Sequence, residues 1–96
     1  MASPHPLTRR LVTFVGRVQG VGFRWFVKES ADALGLSGWV RNRDDGSVEL
    51  EVEGSTDSLD ELERRLRTGN PAAIVDKILT VPLAPRGGNG FEIRRG

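Results

Sequence analysis

The segment Gly16-Arg17-Val18-Gln19-Gly20-Val21-Gly22-Phe23-Arg24 carries the most chemistry of any stretch in the chain. Its glycines and an arginine meet where an alternating, strand-like pattern gives way to a helical one. Glycine tolerates positive φ and lets the backbone approach a ligand closely, so successive N–H groups can turn inward beside the positive end of the following helix. Arg24 adds a planar fork of donors that matches phosphate oxygens. The pattern reads as an anion cradle. It is not a P-loop, because Gly16 and Gly20 stand too close together and no Lys-Ser/Thr follows. Nor is it a dinucleotide fingerprint, since Trp25 stands where that motif needs a small residue.

Such a cradle needs elements to hold it. Arg10 to Val18 reads as a strand inside a sheet, with Val12, Phe14 and Val18 on one face and Leu11, Thr13 and Val15 on the other. Phe23, Phe26, Val27, Ala31 and Leu34 then follow the spacing of one helical face, and Gly35 supplies a stop. Two strands, Ser37 to Arg43 and Ser47 to Gly54, are joined by Asp44-Asp45-Gly46, a strong hairpin signal. In the second, Val48, Leu50 and Val52 point inward and Ser47, Glu49, Glu51 and Glu53 point outward, which predicts a wet outer sheet face. A second helix starts near Thr56 or Ser58, where Ser58 and Glu61 have capping-box spacing, buries Leu59, Leu62 and Leu66, and ends at Gly69. Its pairs Asp60/Arg64, Glu61/Arg65 and Glu63/Arg67 predict a solvated charged face. The chain extends again from Ile74 to Pro82, crosses the loop Pro85-Arg86-Gly87-Gly88-Asn89-Gly90, and closes with a short strand from Phe91 to Arg94. The expected fold is α+β, a ferredoxin-like α/β sandwich of βαββαβ order. Its sheet is antiparallel, with two helices on one face and a short C-terminal edge strand.

Composition narrows the function. The 96 residues suit one domain, 8–96, behind a loose tail over 1–7 marked by Pro4 and Pro6. With 14 basic residues against 13 acidic ones, the chain lacks the basic excess of a nucleic-acid binder. It contains no cysteine, and its one histidine, His5, lies in the tail. Thiolate nucleophiles, histidine phosphatases and Ser-His-Asp hydrolases are thereby excluded. No carboxylate or histidine cluster has metal-ligand spacing, which argues against a metallophosphatase. No apolar run approaches the ~20 residues of a membrane span and no signal peptide is apparent, so a cytoplasmic location is expected.

What remains is a site that binds and polarises a phosphoryl group but is poor in nucleophiles and general acids. Direct attack by water suits it when the leaving group needs no protonation. A carboxylate, with a pKa of about 4, is such a group, so an acyl phosphate is the natural substrate.

The glycine run, followed by Gly38-Trp39-Val40-Arg41-Asn42 and Asp45-Gly46-Ser47-Val48-Glu49, resembles the acylphosphatase family from Thr8 to Arg94. The resemblance implies a small monomeric cytoplasmic enzyme that hydrolyses acyl phosphates without metal or cofactor. Inorganic phosphate is then product and competitive inhibitor, and neither nucleic acid nor membrane is a partner. It also implies that Arg24 binds the phosphate as a catalytic residue, that Asn42 positions the attacking water, and that the backbone of Val18, Gln19, Gly20, Val21, Gly22 and Phe23 forms the cradle. Asn70-Pro71 departs from the Gly-Pro of many members, a change expected to alter the loop after the second helix without touching the site.

Each residue also has a plainer role. Arg24 can be an exposed helix arginine, Asn42 a turn residue beside Asp44-Asp45-Gly46, and Gln19 a loop-stabilising side chain. Trp25, Phe26 and Trp39 read as core or rim aromatics, and Arg17, Arg41 and Arg43 as solvated arginines near the site. The alternative functions are a small-anion module without turnover and an RNA-binding module. RNA-recognition domains share the fold, but Val21 and Arg24 break their aromatic signature.

Overall fold

The computed structural model describes residues 7–95; of the tail expected over residues 1–7, residues 1–6, with His5, lie outside the described residues. The elements are β1 (Leu7–Arg17), α1 (Phe23–Ala33), β2 (Ser37–Asn42), β3 (Val48–Ser55), α2 (Thr56–Thr68), β4 (Ile74–Leu83) and β5 (Phe91–Arg94). The expected order and the ferredoxin-like α+β class hold. Leu7, expected in the tail, instead opens β1 by pairing with Ser55.

The strands lie in the order β4-β1-β3-β2-β5, with β1 internal as its two apolar faces predict. The sheet is mixed rather than wholly antiparallel, because β5 runs parallel to β2 from Gly38↔Phe91 to Arg41↔Arg94. The directions compel this: β4 runs against β1, as β3 does, so a chain that reverses once after β4 runs with β2. One core lies between the sheet and the two helices, built from Val12, Phe14, Val48 and Leu50 of the sheet, Phe23 and Val27 of α1, and Leu59, Leu62 and Leu66 of α2. The α2 leucines are those the periodicity selects, and truncating one to alanine costs about 2–5 kcal/mol. The cap lies earlier than the capping-box spacing predicts: the Ser55 hydroxyl accepts the Ser58 N–H at 3.2 Å.

The outer face departs from expectation. Glu49, Glu51 and Glu53 point away from the helices but are buried, Glu53 being only 3% exposed. Arg9 of β1 donates to Glu51 at 2.9 Å and to Glu53 at 3.1 Å, and the Trp39 indole donates to Glu51 at 3.0 Å. The loop before β5 completes the cover, with the Arg86 and Gly87 N–H groups donating to Glu53 at 2.7 and 2.9 Å. Hydrogen bonding to Arg9 draws Glu51 below the usual glutamate range, and the Arg86 N–H, then Arg9, draw Glu53 down likewise. The charged face of α2 is also partly engaged with the sheet, since Arg10 reaches Asp60 at 2.9 Å and Glu63 at 3.4 Å, while Glu61 pairs with Arg64 and Arg65.

Candidate active site

At the end of β1 a bulge between Val15 and Gly16 shifts the register against β4. A side chain at Gly16 would run into the backbone carbonyl of Ile74, so a glycine is required at this close approach. Beyond it the chain leaves the sheet and forms an open loop into α1. Val18 and Phe23 anchor the two ends with buried side chains, Phe23 packing on Phe14 with ring centroids 5.3 Å apart. Only the backbone of these two residues can therefore serve a ligand. Between them Gly20 and Gly22 adopt left-handed φ angles of 74° and 76°, where side chains other than glycine are strained.

The N–H groups of Gln19, Gly20, Val21 and Gly22 donate to no described residue. The start of α1 adds to this set, because first-turn amides have no partner within a helix. The two helices are built differently at this end. α2 has Ser55 as a side-chain cap and Asp57 in its first turn, whereas α1 begins at Phe23 after the N-cap Gly22, with no side-chain cap and no acid in the first turn. Its second residue is Arg24, which is half-buried and pairs with no carboxylate among the described residues. A cation beside the positive end of a helix is unfavourable until an anion joins it.

Gln19 ties this loop to the β2–β3 hairpin. Its Nε2 donates to the carbonyls of Arg43 at 2.7 Å and Ser47 at 2.9 Å, as a loop-stabilising side chain should. Both carbonyls lie in the turn that follows Asn42, the last residue of β2. The turn is stiffened by Asp45, which accepts from the Ser47 hydroxyl at 2.6 Å and the Ser47 N–H at 3.0 Å. Those bonds, the hydroxyl's first, hold the Asp45 carboxyl below its ordinary value. Asn42 lies beside a depression of about 290 Å³ formed with Arg41 and residues 43–45. Its Oδ1 is buried and accepts no hydrogen bond from any described residue. An unpaired buried amide oxygen costs roughly 1–3 kcal/mol.

The nearby arginines are already committed. Arg41 donates to Glu49 at 2.8 Å and stacks over Trp39, and Arg43 reaches Glu49 at 3.5 Å, whereas Arg17 is exposed. Of the aromatics, Phe26 packs against the core and Trp39 is half-buried on the outer face, while Trp25 is 64% exposed and belongs to no core. Asn70, expected not to touch the site, donates from Nδ2 to the carbonyl of Val21 in the loop at 3.1 Å. Nothing in the pattern around Asn70 signals this contact except its substitution for glycine.

Comparison with known proteins adds identity to this geometry. The family profile described as Acylphosphatase matches residues 11–93. An acylphosphatase of Trichormus variabilis is 44% identical over 95 residues, covering 98% of this chain and 94% of its own. Among solved structures, acylphosphatase from Bacillus subtilis superposes with a TM-score of 0.84 at 40% identity, covering 93% of this chain and 99% of its own. The acylphosphatase from Coxiella burnetii gives 0.88 at 35% identity, covering 97% and 100%.

Proposed function

The chain belongs to the acylphosphatase family and is a hydrolase of acyl phosphates, and from that premise we propose that the amides of Val18 to Phe23 and the Arg24 guanidinium grip the phosphoryl group while Asn42 orients the attacking water. The water oxygen bonds to phosphorus as the bond to the acyl oxygen breaks. The carboxylate leaves with the electron pair, and the protons of the water pass to phosphate and solvent. A leaving group with a pKa of about 4 needs no acid catalyst. Positioning and charge stabilisation therefore supply the rate, as is general for phosphoryl transfer. In this scheme the charge on the transferring oxygens is met by the guanidinium and the amides, and no metal or cofactor is required.

The observation that carries the proposal is the run of four loop amides without partners among the described residues, opening a helix that bears Arg24 and has no side-chain cap. Asn42 supports it by its place at the end of β2, lining the depression formed with Arg41 and residues 43–45, where its side-chain amide is of a type that both accepts from and donates to a water. Inorganic phosphate, as the product, occupies the same cradle and acts as a competitive inhibitor. On the same reading, the family resemblance gives a monomeric enzyme of the cytoplasm. No described helix is long and apolar enough to cross a membrane.

The test is release of inorganic phosphate from benzoyl phosphate in the presence of EDTA, beside p-nitrophenyl phosphate. Rapid, EDTA-insensitive turnover of the acyl phosphate alone is expected. Comparable turnover of the monoester, or inactivation by EDTA, would overturn the scheme.

A further inference from the structure

Asn70 lies in the turn between α2 and β4 and touches the cradle from 49 residues away. Its Oδ1 accepts the Ala72 N–H at 3.0 Å while its Nδ2 donates to the Val21 carbonyl at 3.1 Å. A backbone N–H only donates and a carbonyl only accepts, so one orientation of the amide satisfies both contacts and the flipped one satisfies neither.

We propose that Asn70 is a positioning residue for the phosphate cradle, holding the Val21–Gly22 peptide so that the Gly22 N–H faces the anion; this rests on the cradle assigned above. The peptide unit is planar and trans, with its C=O and N–H on opposite sides. Fixing the Val21 oxygen against Asn70 therefore fixes the Gly22 N–H on the far side, where it donates to no described residue. Without that anchor the peptide precedes a left-handed glycine and is free to rotate, because glycine has little intrinsic preference between positive and negative φ. Gln19 anchors the other end of the same loop to the hairpin. The two side-chain amides thus grip the segment on either side of Gly20 and fix the donors before an anion arrives, which is the condition under which such donors contribute most.

The local turn does not depend on the Asn70 side chain, since the Ala73 N–H also donates to the Asn70 backbone carbonyl at 3.0 Å. Variants here are therefore expected to fold. Asn70→Asp keeps the acceptor for Ala72 and removes the donor; Asn70→Ala removes both without adding charge. For each, KM for benzoyl phosphate and Ki for inorganic phosphate should rise about three- to tenfold, the effect of losing one neutral hydrogen bond. kcat should fall as well, by up to about tenfold, because the same amide meets the charge that develops in the transition state. Agreement between the two variants separates loss of the donor from added charge. In the unaltered protein, a phosphate titration followed by amide NMR should shift Gln19, Gly20, Val21 and Gly22. If those amides shift but both variants keep Ki within twofold, Asn70 is no brace and the proposal is overturned. If they do not respond to phosphate at all, the cradle itself fails and the brace falls with it.

Discussion

Asn42→Ala should separate catalysis from stability in opposite directions. The side chain ends β2 with its Oδ1 buried and unpaired, so the folded state already bears the desolvation of that oxygen without a compensating bond. Truncation removes an unsatisfied acceptor whose burial costs roughly 1–3 kcal/mol and gives up only a few packing contacts. Stability should therefore stay level or rise by about 1 kcal/mol, corresponding to a Tm increase of up to about 4–8 °C for a domain of this size. Catalysis should fall steeply. By analogy with the loss of one transition-state donor, kcat should drop by about 10²–10³, or about 2.7–4 kcal/mol of barrier. Phosphate affinity should change little, because Arg24 and the loop amides are intact. The assays are steady-state hydrolysis of benzoyl phosphate, phosphate inhibition and a thermal melt on the same preparation. Near-normal kcat would remove Asn42 from the mechanism. A marked loss of stability that accounted for the lost activity would show Asn42 to be a turn residue and no more.

Arg24→Ala should abolish measurable hydrolysis and also raise Ki for phosphate, since the guanidinium holds the phosphoryl group in the ground state and meets the developing charge still more strongly in the transition state; unchanged inhibition would refute its place in the cradle. The outer-face network makes a prediction about acid. Glu51 and Glu53 titrate below the usual glutamate value of 4.5 in the folded chain, so their contribution is fully present above that pH and is lost as pH falls through the lowered values. Urea midpoints should therefore decline below about pH 4.5. Glu53→Gln, which removes the charge facing Arg9, should cost about 1–3 kcal/mol at neutral pH and flatten that acid limb. An acid limb of unchanged slope in this variant would assign the decline to other carboxylates.

Local patterns in the sequence carry most of the fold. The alternation in β3, the three-and-four spacing in α1 and α2 and the Asp45-Gly46 turn are signals from neighbouring residues, and each element lies within a few residues of its expected place. What local patterns cannot carry is cover. Glu49, Glu51 and Glu53 face away from the helices as alternation requires, yet what lies over them comes from Arg9, Trp39 and the Arg86–Gly87 loop, all distant in sequence. The parallel pairing of β5 with β2 has the same origin, since it follows from how many times the chain reverses. The site divides along the same line. The glycine run and Arg24 are contiguous and legible together; Asn42 takes on meaning only once Gln19 joins two segments separated by the whole of α1. Asn70, beyond α2, is more remote still, and its local context is merely that of a turn before proline.

These long-range contacts bear on how a loop so rich in glycine can act as a rigid receptor. Glycine supplies the left-handed angles that leave the amides of residues 19–22 without partners among the described residues, but it also raises the entropy lost when the loop is ordered. If that ordering occurred only when substrate bound, it would be subtracted from the binding free energy at each turnover. The anchors move it into folding instead. Val18 and Phe23 are buried at the two ends, Gln19 is doubly bonded to the hairpin turn, and Val21 is held by Asn70. Each anchor draws on an element that the core already fixes, so the loop inherits the rigidity of the sheet and of α2 without a side chain occupying the space the phosphoryl group needs. An Arg24 poised at a helix start without a side-chain cap is tolerable in the same sense. The unfavourable field at an empty N-terminus is a modest cost, about 0.3–1 kcal/mol for an exposed charge, and it is relieved when the anion arrives. On the proposed scheme, binding and charge stabilisation come from groups whose positions are settled during folding.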